Sequence, residues 1–435
     1  MGQAQPTAAP GFAEATRTWA RIALLSFGGP AAQIALMHRV LVDEKGWIDE
    51  QRFLHALNFC TLLPGPEAQQ LATYIGWLFH GVRGGIVAGL LFILPGVVAI
   101  MALSWLYVLT GNVGIVAGLL FGLKAAVLAI VLHALERIAR RALVARWQRI
   151  LAVAAFLLLF FLSAPFPLVV FGAGLVGWWM VRGAERPAEL SVERIGWGQS
   201  VRLAAPWLAA WLLPVAALLL LLGPGHVLSQ IATFFSGTAM VTFGGAYAVL
   251  AYVGQQAVEN YHWLTAREML DGLGLAETTP GPLIMVLQFV GFLVAYRDPG
   301  MLDPLLAGTI GGLVATLVTF APCFLWIFAG APHVERLRDR PHLTGALEGV
   351  LAAVVGVIAS LALWFAIHAL FGSTLQIDRG PFAFDVPILA SINPWAALLA
   401  FAAALAIFRF KLGVGATILG AAAAGMLLTA LGVVA

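Results

Sequence analysis

The sequence predicts an all-α polytopic membrane protein with about 13 transmembrane helices, arranged as two inverted six-helix repeats plus a linking helix. Three observations favour this class. Hydrophobic residues make up 61% of the 435 residues and charged residues only 10%, whereas a soluble domain carries about 25% charged residues. Apolar stretches long enough to span a bilayer follow one another along the chain. One stretch with the same glycine and proline signals also occurs twice.

The repeated stretch covers residues 27–66 and, 216 positions later, residues 243–282. Both copies begin with Phe-Gly-Gly and end with Pro-Gly-Pro, and Trp47 and Trp263 keep the same offset. Without a gap, 12 of the 40 positions are identical, where about three would be expected by chance. The chain is therefore an internal duplication in which glycine and proline interrupt apolar segments.

Spans of about 20 apolar residues divide the chain into six, one and six segments. The predicted spans are 14–37, 53–79, 85–110, 113–136, 149–164, 167–181, 206–222, 227–252, 267–296, 304–330, 342–371, 391–409 and 412–433. The predicted domains are a first repeat at 1–182, a polar linker with a lone span at 183–226, and a second repeat at 227–435. For the polar part of the linker, a solvated connector is favoured over a helix on the membrane surface.

Basic residues predict the orientation of the spans, because cytoplasmic loops of membrane proteins are enriched in lysine and arginine. Arginines crowd the loops that follow the predicted fourth, sixth and tenth spans, and Arg409 and Lys411 follow the twelfth. With a cytoplasmic amino terminus, all these loops lie inside and the carboxyl terminus lies in the periplasm. The lone seventh span then inverts the second repeat. A parallel duplication with an even number of spans is the alternative.

The interrupted segments are the first candidates for function, since a broken helix inside a membrane usually lines a binding site. Proline suits the first turn of a helix, so new helices are expected after the breaks, with unpaired N–H groups and a positive dipole end that favour anions. The candidate binding residues at the breaks are Gly28, Gly29, Pro30, Pro64, Gly65, Pro66, Gln69, Gln70, Gly244, Gly245, Thr279, Pro280, Gly281 and Pro282. Kinks that serve packing alone are the competing interpretation.

Charged residues at membrane depth are the second set of candidates, because an isolated cation there costs about 3 kcal/mol or more. Lys124 lies in the middle of the predicted fourth span and is expected either to attract the anion or to pair with Glu348 of the eleventh. Glu67, Glu277 and Glu348 are candidates for proton coupling. For Glu67, simple stabilisation of a carboxylate at a helix start is the alternative.

Several functional classes find no support in the sequence. It contains no phosphate-binding Gly-Lys-Ser loop, no nucleotide fingerprint and no zinc spacing, so no cofactor or metal site is expected. Cys60 and Cys323 lie in separate apolar segments and are expected to be buried thiols. No pair of nucleophile and base suggests an enzyme. The net charge of +3 gives no reason to expect a nucleic-acid partner.

The motifs together resemble those of the chromate ion transporter family. The resemblance is carried by Ser26-Phe27-Gly28-Gly29-Pro30, by the stretch from Leu63 to Gln70, by Phe243–Tyr247 and by Thr279–Pro282. The length and the duplicated plan look like the long, two-domain members. The resemblance implies export of chromate from the bacterial cytoplasm across the inner membrane, with sulfate as a competing tetrahedral dianion. The lipid bilayer and a second copy in a homodimer are the other expected partners.

The expected mechanism is secondary active transport driven by the membrane potential, with proton antiport as an added source of energy. Two rival functions remain open at this stage. One is a sulfate or other oxyanion importer or exchanger on the same scaffold. The other is a membrane scaffold or sensor that transports nothing and in which the repeats serve packing.

Overall fold

A computed structural model describes residues 10–110, 113–181, 197–243, 245–330, 341–380 and 382–434. The described chain is largely helical, and five of its helices are long and apolar enough to cross a membrane. These are Glu67–Thr110, Gly114–Ala142, Arg202–Leu222, Pro304–Gly330 and His342–Leu370. The fold is thus that of a polytopic helical membrane protein, as the composition predicts.

The helices are numbered here in chain order. Those before the middle of the chain are α1 (Phe12–Leu25), α2 (Gly29–His38), α3 (Glu50–Leu62), α4 (Glu67–Thr110), α5 (Gly114–Ala142), α6 (Arg146–Leu162), α7 (Phe166–Met180) and α8 (Trp197–Leu222). Those that follow are α9 (Val227–Met240), α10 (Ala246–Gln255), α11 (Ala266–Thr278), α12 (Val286–Arg297), α13 (Pro304–Gly330), α14 (Pro341–Leu370), α15 (Pro394–Phe408) and α16 (Val414–Ala430).

Four of the predicted spans are each divided into two helices at the glycine and proline motifs. Span 14–37 becomes α1 and α2, span 227–252 becomes α9 and α10, and span 267–296 becomes α11 and α12. Span 53–79 becomes α3 and the first part of α4, which has non-helical backbone at His80 and Gly81 before the helix continues. The breaks predicted from the sequence are therefore present.

Equivalent backbone hydrogen bonds recur in the two repeats. Trp47 N donates to Leu41 O at 2.9 Å, and Trp263 N donates to Ala257 O at 2.7 Å. These bonds follow π-helical turns at Arg39–Glu44 and Gln256–Asn260, which occupy matching places in the two copies. The duplication is therefore visible in local backbone geometry as well as in sequence.

An antiparallel hairpin occupies the connection between α14 and α15, outside the predicted spans. Its strands are β1 (Thr374–Arg379) and β2 (Phe382–Pro387), with Thr374 opposite Pro387. The left-handed backbone of Gly380 lies at the turn. Next, Asn393 caps α15 by accepting hydrogen bonds from the N–H groups of Trp395 and Ala396.

The chain forms two compact units, and each takes segments from both repeats. Unit 1 comprises residues 1–102, 185–246 and 279–340, and unit 2 comprises residues 103–184, 247–278 and 341–435. These units are defined by contacts between residues, whereas the predicted domains at 1–182, 183–226 and 227–435 were defined by the sequence repeat. The division into repeats stays a prediction.

Large apolar side chains and small residues both contribute to packing within the units. Unit 1 has an apolar core of large side chains from its helices, including Trp19, Phe59, Phe92 and Phe328. Small residues let helix backbones approach closely in both units: a Cβ atom added to Gly311 of α13 in unit 1 would lie 2.5 Å from the carbonyl oxygen of Gly291 in α12. In unit 2, a Cβ atom added to Gly122 of α5 would lie 2.0 Å from the carbonyl oxygen of Ala421 in α16.

Some sequence predictions fall outside the described residues. These are residues 182–196 of the polar linker, the arginine-rich loop after the predicted tenth span at 331–340, and the candidate binding residue Gly244.

Candidate functional site

The first break lies between α1 and α2. Helix α1 ends at Leu25, and the left-handed backbone of Gly28, at φ +82°, starts α2. Gly29 is the first residue of α2, and Pro30 follows in its first turn. The buried hydroxyl of Ser26 donates to Ile22 O at 2.7 Å, which closes the end of α1.

The second break lies between α3 and α4, where Pro64, Gly65 and Pro66 separate the two helices. Gly65 has φ +132°, a conformation that side chains rarely permit. Helix α4 then begins, and Pro66 O accepts its first backbone hydrogen bond from Gln70 N at 3.0 Å. Glu67 is the first residue of α4, as expected.

The third and fourth breaks repeat this plan in the second copy. Helix α9 ends at Met240, and Gly245, with φ +97°, precedes α10. Helix α11 ends at Thr278, and a short 3₁₀ turn, Leu283–Met285, leads into α12. The connecting residues there are Thr279, Pro280, Gly281 and Pro282, with Gly281 at φ +106°.

The four breaks are bonded to one another crosswise within unit 1. Gly65 N donates to Thr242 O at 2.7 Å, and Gly281 N donates to Ser26 O at 2.8 Å. Thr242 is the repeat equivalent of Ser26, and Gly281 is the equivalent of Gly65. The same bond is therefore made twice, each time from the Pro-Gly-Pro break of one repeat to the Phe-Gly-Gly break of the other.

These bonds refine the expectation that amides at the breaks are available to an anion. The amides of Gly65 and Gly281 are engaged in holding the breaks together. At the start of α12 the first N–H groups are also engaged, since Met285 N donates to Pro282 O at 2.9 Å. Glycine thus sets the backbone geometry of the breaks.

Three glutamines of the first repeat are buried at the breaks. Gln70 Nε2 donates to Pro64 O at 2.8 Å, and Gln33 Nε2 donates to Gly281 O at 2.7 Å. Gln69 Nε2 donates to the hydroxyl of Thr73 at 3.1 Å. Gln70 and Gln33 therefore hold carbonyl oxygens at the breaks, whereas Gln69 bonds within α4.

The predicted pair of Lys124 and Glu348 is wrong. Lys124 Nζ lies 3.1 Å from Asp271 Oδ1, because α5 packs against α11 in unit 2. Glu348 instead accepts a hydrogen bond from Gln148 Nε2 at 3.2 Å, because α14 packs against α6. The similar depth of Lys124 and Glu348 in the predicted fourth and eleventh spans therefore did not predict which side chains are in contact. An acid within a predicted span, as Asp271 is, was the signal that could have identified the partner.

Glu277 has a partner that the sequence analysis missed. The Tyr247 hydroxyl donates to Glu277 Oε1 at 2.6 Å, and both side chains are buried in unit 2. Glu277 Oε2 is buried without a hydrogen-bond partner among the described residues. Tyr247 follows the third break and Glu277 precedes the fourth, so this pair joins helices that both adjoin interruptions.

Among the described residues, no group of three His, Cys, Asp or Glu side chains could hold a metal ion. Cys60 and Cys323 are free and buried. The side chain of Cys323 instead lies beside the second break, where a Cβ atom added to Gly65 would be 2.9 Å from its sulfur.

Comparison with known proteins identifies the family. A sequence model for chromate transporters matches residues 13–178 and 229–426, and these ranges include all four breaks. The chain belongs to the chromate transporter family. A chromate transport protein of Pseudomonas aeruginosa is 34% identical over 416 residues, which are 94% of this chain and 90% of that protein.

Other members of the chromate transporter family are similar over most of their length. A chromate transport protein of Cupriavidus metallidurans is 29% identical over 346 residues, covering 79% of this chain and 80% of that protein. A probable chromate transport protein of Synechococcus elongatus is 29% identical over 347 residues, covering 79% and 82%. No solved structure matches the chain. The resemblance drawn from the break motifs is confirmed.

Proposed function

We propose that the protein exports chromate from the bacterial cytoplasm across the inner membrane. The observation that carries the proposal is the reciprocal pair of bonds, Gly65 N to Thr242 O and Gly281 N to Ser26 O, which ties four helix breaks into one unit. Each helix start carries about half a positive charge. Four starts around one ion would offset the two negative charges of a tetrahedral oxyanion such as chromate without a metal or cofactor.

The membrane potential favours export of a dianion. With the interior negative, each charge moved gains about 2.3 kcal/mol per 100 mV, so a dianion gains about twice that. Inward movement of protons through Glu67, Glu277 or Glu348 would add to this driving force. Sulfate, which has the same charge and shape, is the expected competitor.

The proposed mechanism is alternating access in which one inverted repeat moves against the other around the breaks. The amino terminus then lies in the cytoplasm and the carboxyl terminus in the periplasm, with about 13 spans between them. Lys124 would attract the ion electrostatically, and a homodimer is the proposed assembly.

Uptake of chromate into inside-out membrane vesicles tests this function. Wild-type protein should accumulate chromate when the vesicle interior, which corresponds to the periplasm, is made positive, and excess sulfate should reduce the rate. Gly65→Leu should abolish uptake, whereas Gly237→Ala, at an open helix position with no atom near the added Cβ, should retain it.

Three results would contradict the proposal. Wild-type uptake that ignores both voltage and a pH gradient would exclude the energetic account. Net flux of sulfate in the opposite direction would favour an importer. Unchanged uptake in a folded Gly65→Leu protein would show that the breaks serve packing alone.

A further inference from the structure

Unit 2 contains a polar cavity of about 440 Å³ whose residues are distinct from those of the breaks. Its lining includes Lys124 and Asp271, together with Tyr107, Arg267, Glu268 and His368. Since a water molecule occupies about 30 Å³ of liquid, the cavity has room for a small oxyanion and several waters. Only Lys124 among these residues was a candidate in the sequence.

A three-residue cluster lies in the wall of this cavity. Lys124 Nζ is 3.1 Å from Asp271 Oδ1, and the Tyr107 hydroxyl donates to Asp271 Oδ2 at 3.2 Å. The Lys124 side chain is 21% exposed and that of Asp271 only 7%. The ammonium group is therefore the more accessible member of the pair, and the carboxylate lies behind it.

The charges that face the cavity are balanced. Lys124 on α5 and Arg267 on α11 are positive, while Asp271 and Glu268, both on α11, are negative. Of the other two helices that supply titratable groups, α4 contributes Tyr107 and α14 contributes His368. With His368 neutral, the lining has no net charge, which gives a dianion little reason to enter.

We propose that this cavity is a second oxyanion site, in which the ion binds the Lys124 ammonium group when Asp271 takes up a proton. Protonation of Asp271 frees Lys124 from its partner and leaves the lining with one net positive charge. When the proton leaves, the carboxylate reclaims Lys124 and competes with the bound oxyanion. The inference rests on the proposed function and adds to it a proton-dependent site.

The coupling between proton binding and oxyanion binding can be measured as a pH dependence of affinity. Because the proton and the oxyanion favour each other's binding, the affinity of the cavity rises as pH falls. One linked proton gives at most about a tenfold change per pH unit. Joint binding of this sign favours movement of the ion and a proton in the same direction, which is the opposite of antiport. Binding of this kind would therefore count against the proton antiport that was proposed as an added energy source.

Equilibrium binding of labelled chromate to the purified full-length protein tests the proposal. At about pH 6, the cavity site is defined as the binding component that Lys124→Gln removes. At about pH 8, Asp271→Asn should bind chromate at this site at least about tenfold more tightly than wild type, and the two should converge at about pH 6. Chromate itself takes up a proton in this range, but the ratio between the two proteins cancels that contribution.

Two further variants separate a binding site from a structural ion pair. If the pair served structure alone, removing both charges would restore stability and chromate binding together, since no unpaired buried charge would remain. The double variant Lys124→Gln/Asp271→Asn should instead stay folded by thermal unfolding and still lack the cavity component. Glu136→Gln, which neutralises an exposed carboxylate on the same helix as Lys124, should bind like wild type at each pH.

The outcomes are distinct. A ratio of affinities that does not change with pH, or wild-type binding by the double variant, would overturn the cavity site while leaving chromate binding at the breaks intact. Absence of chromate binding and of transport in the wild type at every pH would instead refute the proposed function on which the inference rests.

Discussion

The two repeats have similar backbone geometry at their breaks but differ in the side chains around them. Gly65 and its equivalent Gly281 make the same crosswise bond, at 2.7 and 2.8 Å. The buried amides of Gln33 and Gln70, however, have Val249 and Val286 as their equivalents. Conversely, the bonded pair of Tyr247 and Glu277 in the second repeat corresponds to Ala31 and Thr61 in the first.

This difference separates the residues that set the backbone shape of the breaks from the residues that supply polar or ionisable side chains. The positive φ of glycine serves the shape of the breaks, and both repeats retain it. The prolines are retained at both Pro-Gly-Pro breaks, whereas Ala246 takes the place of Pro30. The amides that fix the backbone belong to the first repeat, and the buried pair of Tyr247 and Glu277 belongs to the second. A site of this kind is symmetric in shape and asymmetric in chemistry.

The largest effect is expected at the two equivalent glycines. In Gly65→Ala, the added Cβ would lie 2.6 Å from Gln70 Nε2 and 2.9 Å from Cys323 Sγ, at φ +132°. We expect a loss of about 3 kcal/mol in unfolding free energy and at least tenfold slower chromate transport. Gly281→Ala should lose less, because its nearest contact, Gly96 Cα, is 3.0 Å away. Thermal unfolding in detergent and vesicle uptake measure both.

Gly237→Ala is the control for this pair, since nothing lies near its added Cβ and alanine favours the helix by up to about 1 kcal/mol. Equal and negligible effects at Gly65 and Gly281 would show that the shared backbone geometry is dispensable.

The second prediction concerns the pair found only in the second repeat. Tyr247→Phe removes the donor to the buried Glu277 carboxyl group and should lower stability by about 1.5–3 kcal/mol. Glu277→Gln should change stability less, because its amide oxygen can still accept from Tyr247. It should, however, remove the response of transport to an imposed pH gradient at fixed voltage.

Vesicle uptake with and without that gradient gives the readout. A Glu277→Gln protein that still responds to the gradient as the wild type does would exclude Glu277 as the coupling residue and leave Tyr247 with a structural role.

The third prediction concerns the amides found only in the first repeat. Gln70→Leu and Gln33→Leu each remove the side-chain donor to a carbonyl oxygen at a break, and each should cost about 1–3 kcal/mol in thermal unfolding. Gln230→Leu, which removes a more exposed bond to Gly225 O, should stay within about 0.5 kcal/mol. If the amides bind the ion instead, chromate affinity would fall while stability stayed constant.

The smallest effect is expected at two equivalent hydroxyls. Ser26 Oγ donates to Ile22 O, and Thr242 Oγ1 donates to Thr238 O, both at 2.7 Å. Ser26→Ala and Thr242→Val should each lower stability by about 1 kcal/mol, to the same extent. Denaturant unfolding of both variants checks this equality, and a difference well above 1 kcal/mol would mean that the first and third breaks are not equivalent.

Sequence reasoning predicted the breaks well because glycine and proline act locally. The positive φ at position 65 favours glycine whatever surrounds it. Aligning the two repeats then identified the equivalent residue, Gly281. Contacts between distant helices were harder to predict. The partner of Lys124 depends on the packing of α5 against α11, which no spacing encodes, and Asp271 was therefore missed. The hairpin of β1 and β2 lies between apolar spans and carries little signal of its own.

The crosswise bonds follow the rule of a two-fold contact between identical subunits, in which residue i of one copy touches residue j of the other and j touches i. Positions 26 and 65 and their equivalents 242 and 281 obey this rule. At the breaks, the chain thus bonds as two symmetric subunits fused into one polypeptide would. Fusion permits what identical subunits cannot have: an ionisable group such as Glu277 on one side of the junction with no duplicate on the other.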